Sequence, residues 1–588
     1  MRYFVLLIVV FMTACSPKTT LDKSISKSFE QLLTPFEQKE NYTATYDEVI
    51  AFYEQLEGLY PDFIKVKEVG FSDIGKPIHT VIVSNNGATT PKEVEEQGKI
   101  TLFINNGIHP GEPCGIDATM MLVRDCIEKS ALRAKLDKVT LVIIPVYNIG
   151  GAMNRSGTSR ANQNGPEAYG FRGNAQNLDL NRDFVKCDTK NAITFNDVFT
   201  QWMPDILIDN HTSNGADYQY TMTLIATQHS KLPKPLANIM NHQILPYLYK
   251  NMEYKGWEMT PYVYARNTPD DGITGFLDLP RYSSGYASLF NCISFMPETH
   301  MLKPFEDRVE STYAFMSTMI DFIEKNDKAL HQAKATANAT IIEQRDFDLN
   351  WTLDLTKVDT ILFKGYEAKY KPSDISGLER LYYDRNAPYT KPISYHNHYN
   401  PNLTITRPDV YIVPQSAWKV IERLKNNKVE MKRLEEDQFF DVEMYYIENY
   451  ETAKNPYEGH YLHSKVEVKK VSQRVKYYAG DYWIDLNQKQ NRYIVETLEP
   501  QAPDSYFAWN FFDGILQRKE YFSPYVFEDT AIKILESNPN IKAELEARKA
   551  TDEAFANSAY AQLFFIYERS EWSEKTFNRY PIGRFFYK

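Results

Sequence analysis

The segment Thr101–Asp125, TLFINNGIHPGEPCGIDATMMLVRD, is the one on which the reading of this chain turns. Thr101–Ile104 is an apolar run of the kind that forms a buried strand. Gly107, Pro110 and Gly111 then impose a tight turn, and a helical pattern begins at about Cys114. The turn carries His109 and Glu112 in the spacing H-x-x-E, an imidazole and a carboxylate able to share one zinc ion. Two ligands do not make a site. A third ligand, a general base and a cationic clamp must come from elsewhere in the chain.

Outward from that segment, Tyr46–Leu59 reads as a helix, with Val49, Phe52, Leu56 and Leu59 at helical spacing. Val66–Phe71 and His79–Ser84 read as a hairpin around Asp73–Pro77. Lys99–Asn105 is the central strand, Cys114–Leu136 its following helix and Val139–Val146 a further strand. That succession predicts a mixed sheet covered on both faces. Tyr147–Asp188, rich in Asn, Gly and Arg, reads as a substrate-facing loop. A helix over Asn191–Trp202 leads into a strand, Asp205–Asp209, that ends at His211. Leu236–Met252 is helical with a kink at Pro246, and Thr268–Ser288 is a second loop bearing Gly and Tyr. The strand Asn291–Met296 ends at Pro297-Glu298-Thr299-His300, before a helical tract from Phe305 to Ala337.

Beyond residue 340 the texture changes to strand-like alternation, as in Thr360–Tyr370, Phe439–Tyr446 and Lys465–Tyr478. Gly514–Ala561 returns to helical patterning, with Pro524 and Pro539 as interruptions. The fold class expected is therefore α/β: a mixed-sheet domain over 41–338, a β-rich, sandwich-like accessory domain over 340–510 and a mainly helical segment over 511–588. A length of 588 residues with 43% hydrophobic and 24% charged residues accommodates two or three domains. A net charge of −11 without a basic stripe excludes nucleic acid as the expected partner.

The first residues read as a targeting segment. Arg2 supplies a positive start, and Phe4–Met12 is apolar but too short to span a bilayer. Met12-Thr13-Ala14-Cys15 resembles a bacterial lipobox, which implies lipidation at Cys15, a tether over 16–40, and an exported lipoprotein held at the membrane in the periplasm or outer membrane. Of the remaining cysteines, Cys114 and Cys126 lie about 18 Å apart on one expected helix and cannot pair with each other. Buried free thiols are expected for most of Cys114, Cys126, Cys187 and Cys292.

His109 and Glu112 follow one strand, His211 another and Glu298 a third, and strand-end loops of an α/β sheet converge on one edge. Two His and one Glu with a position left for water make a catalytic rather than a structural zinc site.

The series His109-Pro-Gly-Glu112, Asn177-Leu-Asp179-Leu-Asn181-Arg182-Asp-Phe184, Asp209-Asn210-His211 and Pro297-Glu298-Thr299 resembles the zinc carboxypeptidase family over about residues 40–335. The resemblance implies one Zn2+ per chain on His109, Glu112 and His211. It also implies Glu298 as general base, Asn181 and Arg182 on the substrate's terminal carboxylate, and Asp179 orienting a ligand histidine. Arg172 is the oxyanion-stabilising arginine it implies, chosen over Arg155 and Arg160 of the same loop. For the substrate-capping tyrosine both Tyr282 and Tyr286 qualify, and Tyr286 is selected. The implied activity is zinc-dependent hydrolysis of a peptide or peptide-like substrate beside a free C-terminal carboxylate. Murein-peptide amidase and N-acyl amino acid deacylase are alternatives of the same class, and a non-catalytic peptide- or glycan-binding lipoprotein is one of another class. His396, His398, His460 and His463 are expected in solvated loops, and Cys114 in a packing role.

Overall fold

The protein is described by a computed structural model over residues 32–587, so that Cys15 and the segment read above as a targeting sequence lie outside the described residues. The hairpin expected near the N-terminus is β1 (Ile64–Phe71) with β2 (Pro77–Val83), packed beside the Tyr46–Leu59 helix. Thr45 and Glu48 close a reciprocal capping box at the start of that helix, which satisfies two of its free backbone donors. Next come β3 (Ile100–Asn105), β4 (Val139–Ile144), β5 (Ile206–Asp209), β6 (His211–Ser213), β7 (Met222–Ala226), β8 (Met259–Pro261), β9 (Ile273–Thr274) and β10 (Ile293–His300).

Eight strands form one mixed sheet in the order β1-β2-β4-β3-β5-β10-β7-β8, and β6 continues the line of β5 alongside β10. The central four run parallel, with Asn105 opposite Asp209 and Glu298 opposite His211. Every residue of β3, β4 and β5 is buried, as continuous apolar strands covered on both faces must be. Shortening one such side chain to Ala costs about 2–5 kcal/mol. The Cys114–Glu128 and Phe305–Glu343 helices cover one another over the sheet, while Lys190–Trp202 packs near β1.

The turn after β3 depends on two glycines for different reasons. Gly107 has φ +65°, a conformation that favours glycine. Gly115 lets the helix start close against β5 and β6, since a Cβ there would stand 2.4 Å from Asn210 Cβ.

Several expected boundaries move. The helix from Cys114 stops at Glu128 and yields to short turns before β4. The irregularity expected at Pro246 takes the form of a π-turn over Met240–Ile244, just before Pro246, within a helical run from Lys234 to Tyr254 whose junction residues all keep right-handed helical angles. Pro524 and Pro539 begin the helices Pro524–Ser537 and Pro539–Thr551.

The β-rich region contains β11 (Asp346–Leu353), β12 (Asp359–Pro372), β13 (Glu379–His396), β14 (Tyr399–Thr406), β15 (Val410–Val413), β16 (Lys432–Arg433), β17 (Gln438–Thr452), β18 (His463–Tyr477), β19 (Tyr482–Asp485) and β20 (Gly583–Phe585). They divide among three sheets, the largest ordered β16-β19-β15-β20-β17-β18. One apolar cluster runs from Leu102 and Phe295 in the first sheet through Tyr411, Tyr445 and Tyr493, so the two regions share a core. The helices over 524–568 have a smaller cluster of their own, built on Phe527, Leu545 and Phe565. No helix among the described residues is long and apolar enough to cross a membrane.

The four cysteines within 32–587 are buried free thiols, and Cys114 packs against Thr212 and Thr299. Three of the four histidines expected in solvated loops depart from that expectation, His396 because it is the half-buried last residue of β13, paired with Thr274 of β9. His463 is buried at the start of β18 between Thr452 and Asp513, and His460 contacts Asp188 at 2.7 Å.

Candidate active site

Strand direction brings the site together. β3 and β5 end side by side, the turn after β3 presents His109 and Glu112, and the single residue Asn210 separates β5 from His211. Ligand atoms of His109, Glu112 and His211 all lie within 4.8 Å of one another, and the three residues are buried. Glu112 Oε1 stands 3.3 Å from His109 Nδ1, and its Oε2 stands 3.2 Å from His211 Nδ1.

The far nitrogens of both imidazoles face carboxylates. His109 Nε2 meets Asp179 Oδ1 at 2.8 Å, and His211 Nε2 lies 3.0 Å from Asp209 Oδ2. Asp209 is itself held by Asn105 Nδ2 at 3.0 Å and Ser283 Oγ at 2.6 Å. A proton kept on each Nε2 leaves each Nδ1 with a lone pair directed at Glu112, the outer-shell arrangement of metal-bound histidine. His109 Nδ1 is buried and makes no hydrogen bond, an orphan a cation would satisfy. Two imidazoles and a carboxylate are the donor set zinc takes, so these residues fit that ion.

Charge around the cluster is dense. Burial resists ionisation of Glu112, but Arg160 and His109 hold it well below the usual carboxylate range. Burial likewise opposes charge on Asp179, and His109, Arg172 and Arg182 outweigh it. Burial opposes protonation of His211 too, yet Asp209 raises it well above its ordinary value. Glu298 moves the other way, raised chiefly by burial.

A pocket of about 620 Å³ opens over these groups, and Glu298, Arg172, Asn181 and Arg182 all line it. Asp179 caps the short turn Leu180–Arg182 by accepting from the Asn181 N–H, which fixes the backbone that presents both residues. Arg172 donates to Asp179 Oδ2 at 3.0 Å and to Glu112 Oε1 at 3.3 Å.

One expected residue is misplaced. Tyr286 does not face the pocket: it is fully buried, its hydroxyl donates to Asn427 Oδ1 at 2.6 Å, and its ring packs on Phe199 and Phe290. Tyr282 occupies the pocket wall instead, with Arg182 Cζ 4.5 Å from its ring centre. The helix Ser283–Ser288 explains the difference, since it carries Tyr286 inward and leaves Tyr282 outside its start.

Three site residues carry no role in the sequence reading. Asp209 stands in the quoted Asp209-Asn210-His211 series, but its contact with His211 needs β5 and β6 in place. Arg160 lines the pocket, pairs with Glu112 and donates to the Thr212 carbonyl at 2.8 Å. Tyr262 forms part of the wall, brought there from just beyond β8.

A mixed sheet with a His–Glu–His cluster and a recessed carboxylate at its parallel-strand edge defines a metallohydrolase. Residues 49–288 match the family described as zinc carboxypeptidase, and the chain carries a domain of that family, a metallopeptidase. Among curated proteins it is similar to Carboxypeptidase 2 of Trichophyton rubrum, 22% identical over 463 residues that cover 75% of this chain and 79% of that protein. Carboxypeptidase 2 of Trichophyton tonsurans is 21% identical over 439 residues, covering 70% and 74%. Among solved structures, a metallo-carboxypeptidase from Burkholderia cenocepacia is 16% identical, with 48% of this chain and 70% of that one covered and a TM-score of 0.36.

Proposed function

We propose that this protein is a zinc-dependent carboxypeptidase that hydrolyses the peptide bond next to a free C-terminal carboxylate. The observation that carries the reading is the layout of one pocket: a His109–Glu112–His211 cluster on its floor, Glu298 beside His211, and Asn181 with Arg182 on the same wall. Zinc on the three ligands would supply Lewis acidity toward a carbonyl oxygen and toward water. Glu298, whose raised proton affinity comes from burial, takes the proton of the attacking water and passes it to the leaving nitrogen. Arg172 offers its guanidinium to the charge that develops on the carbonyl oxygen. Arg182 takes the terminal carboxylate through charge-assisted hydrogen bonds, and the Asn181 amide adds a neutral contact. The aromatic ring of Tyr282 beside Arg182 closes this end of the pocket.

Mixed peptides incubated with the zinc-loaded protein test the reading. The expected product is single C-terminal residues, lost when a chelator is added and restored by zinc. Release of an internal amide or an N-acyl group instead would assign the site to the amidase or deacylase branch, and chelator-sensitive binding without turnover would make it a binding protein. Export and lipid attachment at Cys15 belong to the same proposal. The mass of the mature N-terminal peptide tests them, with a diacylglyceryl adduct on Cys15 as the expected result.

A further inference from the structure

The β17–β18 hairpin reaches across the molecule, and its connecting loop, residues 453–462, ends against the segment that presents Asn181 and Arg182. The tip is a tight turn closed by the backbone pair Tyr457–His460, with Glu458 at φ 50° and Gly459 at φ 84°. Three of its four residues make polar contacts with that segment. The Tyr457 hydroxyl accepts from Arg182 Nε at 3.0 Å, Glu458 Oε2 accepts from the Asp179 N–H at 2.7 Å, and His460 Nε2 meets Asp188 Oδ2 at 2.7 Å.

Tyr457 is itself firmly seated. Its ring stacks on the fully buried Trp509 at 6.1 Å, and the Arg281 guanidinium, held by Asp504, lies over both rings. Arg182 therefore has two of its three nitrogens engaged, Nε by Tyr457 and Nη1 by the Asn181 carbonyl at 2.7 Å. A guanidinium whose plane is set in advance binds a carboxylate more tightly, because less side-chain freedom is lost on binding.

We propose that loop 453–462 supports the terminal-carboxylate site from behind Arg182, with Tyr457 the positioning residue that sets the Arg182 plane and so the affinity for a free C-terminal carboxylate. The inference rests on the reading of Arg182 as the carboxylate clamp. It gives the β-rich region a part in substrate recognition, exerted through Arg182. Tyr457 acts through Arg182 rather than on the peptide.

Tyr457→Phe in the full-length, zinc-loaded protein is the test, since it keeps the ring on Trp509 and removes only the hydroxyl. Two measurements are made on wild type and variant: KM and kcat for a free-acid peptide, and competitive inhibition by an N-acetyl amino acid against its C-terminal amide. The expected result is a KM raised about five- to tenfold, kcat within about twofold, and a smaller acid-to-amide preference. Wild-type discrimination that the variant keeps in full overturns the role of Tyr457 alone. A loss in kcat with KM and preference unchanged also overturns it, as that is the signature of a structural effect. A wild-type protein inhibited equally by acid and amide removes Arg182 as the clamp, and the role of Tyr457 falls with it. Should the Phe variant not fold, Glu458→Ala, which frees the Asp179 N–H, is expected to raise KM in the same sense, and an unchanged KM overturns the proposal.

Discussion

Glu298 on β10 and His211 on β6 are register partners in a parallel pair, so the carboxyl assigned to proton transfer stands beside a histidine of the His–Glu–His cluster on one sheet edge. Their relation is fixed by backbone pairing rather than by a mobile loop, which preorganises the site before any substrate arrives.

Glu298→Gln is expected to lower kcat by about 10²–10⁴-fold, the usual contribution of a positioned acid–base group. The substitution keeps shape and leaves the three ligands in place, so zinc content by elemental analysis should stay at the wild-type level. Retained activity would remove Glu298 from the mechanism.

Asp179→Asn and Asp209→Asn each remove a carboxylate from the far nitrogen of a cluster histidine. Loss of such an outer partner weakens metal binding by about 10–100-fold. Competition with a zinc chelator of known affinity measures this directly, and unchanged affinity would mean that the two carboxylates only pack.

Tyr282 and Tyr286 should separate cleanly. Tyr286→Phe leaves the buried Asn427 oxygen without its donor and is expected to cost about 1–3 kcal/mol of stability with KM unchanged. Tyr282→Ala removes the ring beside Arg182 and is expected to raise KM with little change in the urea midpoint. Denaturant unfolding and steady-state kinetics on the pair test both halves.

Asp117, which does not line the pocket, gives a pH dependence of its own. It is fully buried, accepts from Thr43 Oγ1 and the Ala44 N–H, has Arg155 and Glu48 as charged neighbours, and is raised by burial to about 7. Between the unfolded carboxylate range and pH 7 the folded state holds more protons than the unfolded one. Stability contributed by this group is therefore complete at acid pH, declines as pH rises, and levels off above about 7, by roughly 2–4 kcal/mol in all. Asp117→Asn should flatten that slope in urea midpoints measured from pH 4.5 to 8. An identical slope would place the dependence elsewhere.

The amino-acid sequence determined what is local. The largely apolar strands around Leu102 and Leu141, the turn that carries His109 and Glu112, and the Asp179–Arg182 run are legible because a short stretch of chain sets its own strand, turn or cap through apolar pattern, glycine and side-chain–backbone bonding. Only tertiary structure decided matters that depend on packing between distant segments. Tyr282 and Tyr286 are four residues apart in similar surroundings, and the cluster of Phe199 and Phe290 chose which of them would be buried. Asp209 and Arg160 acquire partners in the site once β5, β6 and the long loop meet. Tyr457 reaches Arg182 across 275 residues of chain because a hairpin is seated on a core shared by both regions. No periodicity or spacing encodes such a contact, since its energy comes from surfaces that do not exist until the chain is folded.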